Sequence, residues 1–583
     1  MQKNLIYLLF LALSIGLISC EKEIVDPIDP IVEGGTLTED ITEDMIFKTG
    51  SIYTFDGTIR IRNAKLTFEA GSIIKFTDDS SLEFAYWGDE WATIDVRGTA
   101  DLPVLFTSAK SNPSNGNWAG LHFFNGAKEC VINHAIIEYA GSEFSDGSIR
   151  IEETAIAFTN SIIRNAANVG IRMYKEGSFN AFSGNLFTNI DSYPISIYIN
   201  NVHTLTGDNI FETSLGIWIE NEEDFTLQGN YYWSDLGVPF YQEGTIRFGA
   251  QGEGSIIHIA PGTEILFMED GSWDIAYWAD QYATIIAKGT EAEPVLFSSA
   301  STAPEAGDWE SISFYEGANN SSFEYCTFEF GGVDYYSGMI VIEESHVGFT
   351  HCEFYYSQAD AITLRDHAYF SDFGNNIFLG NLLYPISIYP NYVHTIIGEN
   401  SIDTDLGILI SDVDDLNIPG EYTWTQQTAP YIIDGNLRIG AIGSGVQLTI
   451  EAGTKVQFMQ DAQLDIAYWG DHIASFVAEG SIDAPIIFTS ASTAPNKGDW
   501  DSFNFYEGAH NCVLAYCEIS YAGGNEIPWG AISLMDAGNP LSISHSLFNH
   551  ISAHGISVDE DSSVDISNNV NFDDLDGIPY HIR

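Results

Sequence analysis

The sequence predicts an all-β solenoid: a parallel β-helix with coils of about 22–24 residues, built from three modules at a 191-residue offset. Three observations predict it: a long internal repeat, a short rung period inside each copy, and the lack of any helical stretch between rungs.

The long repeat is carried by Ala85-Tyr86-Trp87-Gly88-Asp89, which returns as Ala276-Tyr277-Trp278-Ala279-Asp280 and as Ala467-Tyr468-Trp469-Gly470-Asp471, each 191 positions on. Pro103, Pro294 and Pro485 keep the same offset, as do Trp118, Trp309 and Trp500. Copies that drift in sequence but hold their length at these landmarks fit stacked coils, where an insertion disturbs both neighbours.

The short period gives the architecture. Gly170-Ile171-Arg172-Met173-Tyr174, Pro194-Ile195-Ser196-Ile197-Tyr198, Gly216-Ile217-Trp218-Ile219-Glu220 and Val238-Pro239-Phe240-Tyr241 recur at spacings of 24, 22 and 22. Ala361-Ile362, Pro385-Ile386, Gly407-Ile408 and Ala429-Pro430 repeat that beat in the second copy. Alternating apolar residues make each a short strand with one buried face. With no crossover helix between them, the strands must stack on themselves. Asn160, Asn185, Asn209 and Asn230 recur at a similar interval and are expected to form an amide ladder at a repeated turn.

The parsing that follows is a signal peptide over 1–19, a lipidated Cys20 with an acidic tether over 20–40, and β-helix modules over 41–234, 235–426 and 427–583, the last truncated. Lys3 before the apolar run Leu5 to Leu17, with Ser19 before Cys20, is a secretory layout too short to span a bilayer. Leu17-Ile18-Ser19-Cys20 resembles the bacterial lipobox, which implies an acylated Cys20, and the acidic stretch after it resembles that of surface-displayed lipoproteins, which implies an outer-membrane protein exposed at the cell surface and touching the membrane through its lipid alone. The remaining cysteines, Cys130, Cys326, Cys352, Cys512 and Cys517, have no metal-ligand spacing and read as small buried hydrophobes.

Leu448-Thr449-Ile450-Glu451-Ala452-Gly453-Thr454, then Pro485-Ile486-Ile487-Phe488-Thr489-Ser490, then Gly498-Asp499-Trp500 resembles the right-handed parallel β-helix repeats of the pectin-lyase-like superfamily. Variants at Leu66 to Ser72 and Ile257 to Thr263 extend the resemblance over most of residues 45 to 583. It implies a fold rather than an activity: members include non-catalytic surface proteins as well as polysaccharide lyases and glycoside hydrolases.

The 82 acidic and 21 basic residues give a formal charge of −61, which repels nucleic acid and anionic polysaccharide and leaves neutral glycans, divalent cations or basic partners. The ligand-binding candidates are Tyr86, Trp87 and Asp89, Tyr277, Trp278 and Asp280, and Tyr468, Trp469 and Asp471. Their rings suit the apolar faces of a sugar and their carboxylates its hydroxyls, whereas packing inside the coil would account for the repetition without any ligand. Asp79, Asp270 and Asp461 are weaker candidates as Ca²⁺ ligands, since aspartate in a tight turn explains them with less; no other cofactor is called for.

No catalytic residue is assigned. Arg60, Arg247 and Arg438 recur at the module starts and read as structural, and adjacent acids such as Asp414-Asp415 point to opposite faces of a strand. The expected function is therefore that of a surface-anchored, non-catalytic binder of polysaccharide or cell-surface glycan, or an adhesin. A β-helix lyase or hydrolase and a structural envelope spacer are the alternatives. The sequence sets no oligomeric state.

Overall fold

The computed structural model describes residues 31–583 apart from 33, 143–145, 334–337, 412–413 and 525–528. The expected signal segment and Cys20 lie outside the described residues. The short pieces Ile31–Val32 and Gly35–Leu37, within the stretch read as tether, already pair with Met45–Phe47 and Ile52–Phe55.

Among the described residues sixty short strands lie in seven sheets, and each ladder between them is parallel. This is the parallel β-helix that the sequence predicts. In the first module each turn visits three sides: Ala64–Glu69, Ile73–Phe76 and Ser81–Phe84 form one turn, and Ala92–Arg97, Val104–Ser108 and Gly120–Phe123 the next. These are taken below as the first, second and third sides. The rungs read from the sequence are neighbours in fact: Ile171–Tyr174, Ile195–Tyr198, Ile217–Glu220 and Phe240–Gln242 follow one another in a single 14-stranded sheet.

Alternation places every second side chain in the bore, where like residues of successive turns stand over one another. Phe297, Phe328, Phe354 and Phe378 stack face to face at 4.8, 5.2 and 4.8 Å. Offset stacks of this kind add to the burial of each ring. Trp118, Trp309 and Trp500 are fully buried, lying on Phe76, Phe267 and Phe458 at 3.9, 4.4 and 4.2 Å. Each indole N–H donates to a backbone carbonyl, of Glu138, Glu329 or Ser520, so none leaves a polar group unpaired.

The five cysteines are buried and free. Cys512 and Cys517 occupy consecutive strands of different sheets, and burial pushes their thiols up to about 11 and about 12.

The amide ladder is real, with altered membership. Asn185 accepts the Ser161 N–H at 3.0 Å, and Asn209 accepts both the Asn185 N–H at 3.1 Å and its side-chain amide at 2.9 Å. Asn160 instead takes the left-handed conformation (φ 51°) one residue before Ser161, and Asn230 sits in the strand Gly229–Trp233. Asparagine serves both the ladder and the turn, so its spacing alone does not separate the two uses.

The modules join in a way the sequence does not announce. The third-side strand Ile217–Glu220 pairs with Phe240–Gln242, which pairs with Glu264–Phe267, the counterpart of the second-side strand Ile73–Phe76. The third side of one module thus continues as the second side of the next. The same happens at Ile408–Ile410, Tyr431–Ile433 and Lys455–Phe458. The extra step is taken by a 3-10 turn, Ile199–Thr204, that closes the first side: its Thr204 hydroxyl accepts the Phe179 N–H at 3.4 Å. Asn200 in that turn donates to the carbonyl of Asp224 at 3.0 Å and accepts the Thr226 N–H at 3.0 Å. Phe225 then bridges to Phe248 in the strand Thr245–Phe248, where the new third side starts. A second turn, Pro390–Thr395, takes the same step between the second and third modules. His203 and His394 stand near the ends of these turns with their rings edge-on to Tyr231 and Tyr422.

Candidate functional site

The three Tyr-Trp loops leave the ends of Ser81–Phe84, Ser272–Ile275 and Gln463–Ile466. The turn outward is made by Ala85, Ala276 and Ala467, all buried and all left-handed, at φ 54°, 58° and 59°. Left-handed alanine costs about 1–2 kcal/mol, so the same cost met three times marks a loop whose direction is held by its surroundings. A backbone bond from Glu90, Gln281 or His472 to the carbonyl of Trp87, Trp278 or Trp469 closes each loop.

The rings project outward rather than filling the bore. Trp87, Trp278 and Trp469 are 49%, 52% and 48% exposed, and Tyr86, Tyr277 and Tyr468 are exposed beside them. In each loop the phenol and indole meet edge to face at 4.7 to 4.8 Å, making a right-angled aromatic shelf. A second ring, of Phe124, Tyr315 or Tyr506, braces the tyrosine from the next turn at 5.1 to 5.2 Å.

Each shelf has an arginine behind it. The guanidinium carbons of Arg60, Arg247 and Arg438 lie 4.7, 5.0 and 4.9 Å from the tyrosine centroids. The neighbouring strand supplies a carboxylate to each: Glu83 at 2.9 Å, Asp274 at 3.6 Å and Asp465 at 3.8 Å. Burial holds Glu83, Asp274 and Asp465 above the usual carboxylate range, against the pull of the arginines. The arginines that the sequence reads as structural lie against the shelf rings. They stiffen the rings by cation–π contact, and their paired carboxylates offset their charge. Asp89, Asp280 and Asp471 are exposed beside the indoles, and Asp280 accepts the side-chain amide of Gln251 at 2.6 Å.

Asp79, Asp270 and Asp461 occupy left-handed turn positions, at φ 56°, 61° and 59°, and are exposed. Asp270 lines an open cleft with Glu269, Ser301 and Glu310. Among the described residues no group of three or more His, Cys, Asp or Glu side chains is placed to hold a metal ion. The nearby Asp308 and Asp499 tie down their own loops, accepting Ser299 and Ser490 hydroxyls at 2.6 and 2.7 Å and the N–H groups of Glu305 and Asn496 at 3.0 Å. Asn117 does the same work in the first copy by accepting the Ser114 N–H at 2.8 Å, so the position needs an acceptor and not a charge.

One cluster escaped the sequence reading because it breaks the repeat. On the outer face of the 14-stranded sheet, Arg150 and Arg172 clamp the Tyr174 ring from 4.5 and 4.9 Å. The Tyr174 hydroxyl donates to Asp146 at 2.7 Å, and Arg172 makes two bonds to the buried Glu220, at 3.0 and 2.9 Å. Tyr193 packs against Trp218 and Tyr241 just beyond, at 5.4 and 5.6 Å. The strands that correspond in the other modules carry Val341 and Thr363, or Ser533 and Ser557. Arginine where the copies have small or apolar residues was the available signal.

Residues 39–182 match the family model of the pectate-lyase like beta helix domain. That match covers the first module's shelf and Arg150, Arg172 and Tyr174, and ends before their partner Glu220. No curated protein matches the chain. Among solved structures, the catalytic unit of a thermostable GH87 alpha-1,3-glucanase from Streptomyces thermodiastaticus strain HF3-3 is similar at 9% identity and a TM-score of 0.11, over 92% of this chain and 64% of that one. The Agl-KA catalytic domain is similar at 11% identity and a TM-score of 0.10, over 90% and 63%. The chain thus spans under two thirds of either structure. Among the described residues no helix is long and apolar enough to cross a membrane.

Proposed function

We propose that this β-helix is a non-catalytic glycan-binding rod, displayed at the cell surface as an outer-membrane lipoprotein through Cys20. The observation that carries the reading is the aromatic shelf, built three times with its rings half-exposed and an ion-paired arginine beneath. A ring face of this kind stacks on the C–H face of a neutral sugar, and the adjacent Asp89, Asp280 or Asp471 accepts its hydroxyls. The strongly acidic surface disfavours anionic chains and leaves neutral ones.

A neutral-glycan array with wild type and the combined Trp87→Ala, Trp278→Ala and Trp469→Ala variant tests it. Each lost indole should weaken its own shelf by about 2 kcal/mol, roughly thirtyfold, so that the combined variant falls to background. Unchanged binding by that variant would end the reading. Release of unsaturated or reducing ends from polysaccharides incubated with the protein, with and without Ca²⁺, would favour a lyase or hydrolase instead. For the anchor, Cys20→Ala should abolish lipid labelling and release the protein from the membrane fraction.

A further inference from the structure

The three shelves share a sequence motif but not a side of the rod. The first follows Ser81–Phe84 in the 14-stranded sheet, the second follows Ser272–Ile275 in the 13-stranded sheet, and the third follows Gln463–Ile466 in a six-stranded sheet. Because the third side of each module becomes the second side of the next, every junction advances the shelf by one side of a three-sided coil. The 14-stranded sheet also sets the axial distance. Seven strand spacings separate Ser81–Phe84 from Glu264–Phe267, which immediately precedes the second shelf's strand. At about 4.8 Å each this is roughly 34 Å along the axis, and the same count separates Ser272–Ile275 from Lys455–Phe458.

Resting on the glycan-binding reading, we infer that the rod is a trivalent cross-linker of separate neutral glycan chains, its three shelves acting as independent sites that face three directions, and not a groove that follows one chain along its length. Two sites on one chain raise affinity only when the ligand can engage both without bending around the support. Here a ligand seated on one indole and running along the rod reaches the level of the next shelf on the wrong side. The shelves are rigid, backed by the coil, and alike in geometry, so their intrinsic affinities should be alike.

The test uses the full chain with mixed-linkage glucan and galactomannan, and with hexasaccharides cut from each. Calorimetry should give three equivalent sites per chain for the hexasaccharide, with a per-site dissociation constant within about threefold of that for the polymer. Wild type should form a turbid network with the polymer at equivalence. Variants keeping one shelf, such as Trp278→Ala with Trp469→Ala, should bind with one site at unchanged affinity and form no network. A polymer affinity a hundredfold above that of the hexasaccharide, a stoichiometry of one for wild type, or turbidity that persists in single-shelf variants would overturn the inference while leaving glycan binding intact. Absence of any binding to either polymer or hexasaccharide would overturn the underlying reading, and the inference with it.

Discussion

Asp360 is a partly buried carboxyl held by two hydrogen-bond donors. It begins the strand Asp360–Arg365, accepts the Tyr384 N–H at 3.1 Å and the Thr363 hydroxyl at 3.3 Å, and burial raises its pKa to about 6. The folded protein therefore holds this proton more tightly than the unfolded chain does. Its contribution to stability is complete below the ordinary aspartate range near 3.8 and is lost as pH rises through about 6. Two pKa units correspond to about 3 kcal/mol. Asp360→Asn should abolish that component, so the gap in denaturation midpoint between wild type and variant should change between pH 4.5 and pH 7.5. Parallel pH profiles would show that Asp360 titrates normally. The shelf residues illustrate what single positions reveal and conceal. Tyr86-Trp87 was legible because two large aromatics repeat with an acid beside them. The role of Arg60 was not, because a residue one strand below the ring is 26 positions away in sequence, and the distance of 4.7 Å exists only after the coil has closed.

At the scale of a turn, two devices fix how one coil sits on another. Asn185 is buried and fully bonded: beyond the ladder contacts, its side-chain amide donates to the Phe158 carbonyl at 2.9 Å. Asn185→Ala would leave the Ser161 N–H and the Phe158 carbonyl without these partners, a cost of about 3 kcal/mol. The loss should appear first as faster amide exchange at Ser161 and Leu186, ahead of any change in distant turns. Gly216 and Gly407 open their rungs because a Cβ there would meet the carbonyl oxygen of Pro239 or Pro430 at 1.9 or 2.1 Å. Gly407→Ala should cost about 1–3 kcal/mol by forcing the backbone apart, measured as a lower denaturation midpoint. These rungs were readable from Gly216-Ile217 and Gly407-Ile408 because strand length, alternation and the initiating glycine all act locally. The 3-10 turns Ile199–Thr204 and Pro390–Thr395 were not, since Ile199, Val202 and Leu205 have the apolar content of a strand and only the stacking of Asn200 on Asp224 and Thr226 reveals the substitution.

At the scale of the molecule, stability is the sum of similar turns, each resting on its two neighbours. The junctions are interchangeable: Phe240–Gln242 and Tyr431–Ile433 seat on the preceding module in the same manner. Removing residues 235–425 should therefore give a folded rod, shorter by roughly 35 Å in solution scattering, with two shelves in place of three. Aggregation or loss of the β signal would show that the modules are not equivalent supports. The formal charge of −61 is spread along the whole length, so apparent thermal midpoints should rise when sodium chloride is raised from 0.05 to 0.5 M, as self-repulsion is screened.

The side-step at each junction also gives the protein a symmetry that its linear repeat hides. Advance and rotation occur together, so the modules are related by an approximate threefold screw about the long axis, and a fourth copy would return its shelf to the azimuth of the first. Inserting or deleting one whole coil upstream would change only the height of every later shelf. Inserting a single side would swing them all to a new bearing, so chain length between shelves encodes direction as well as distance.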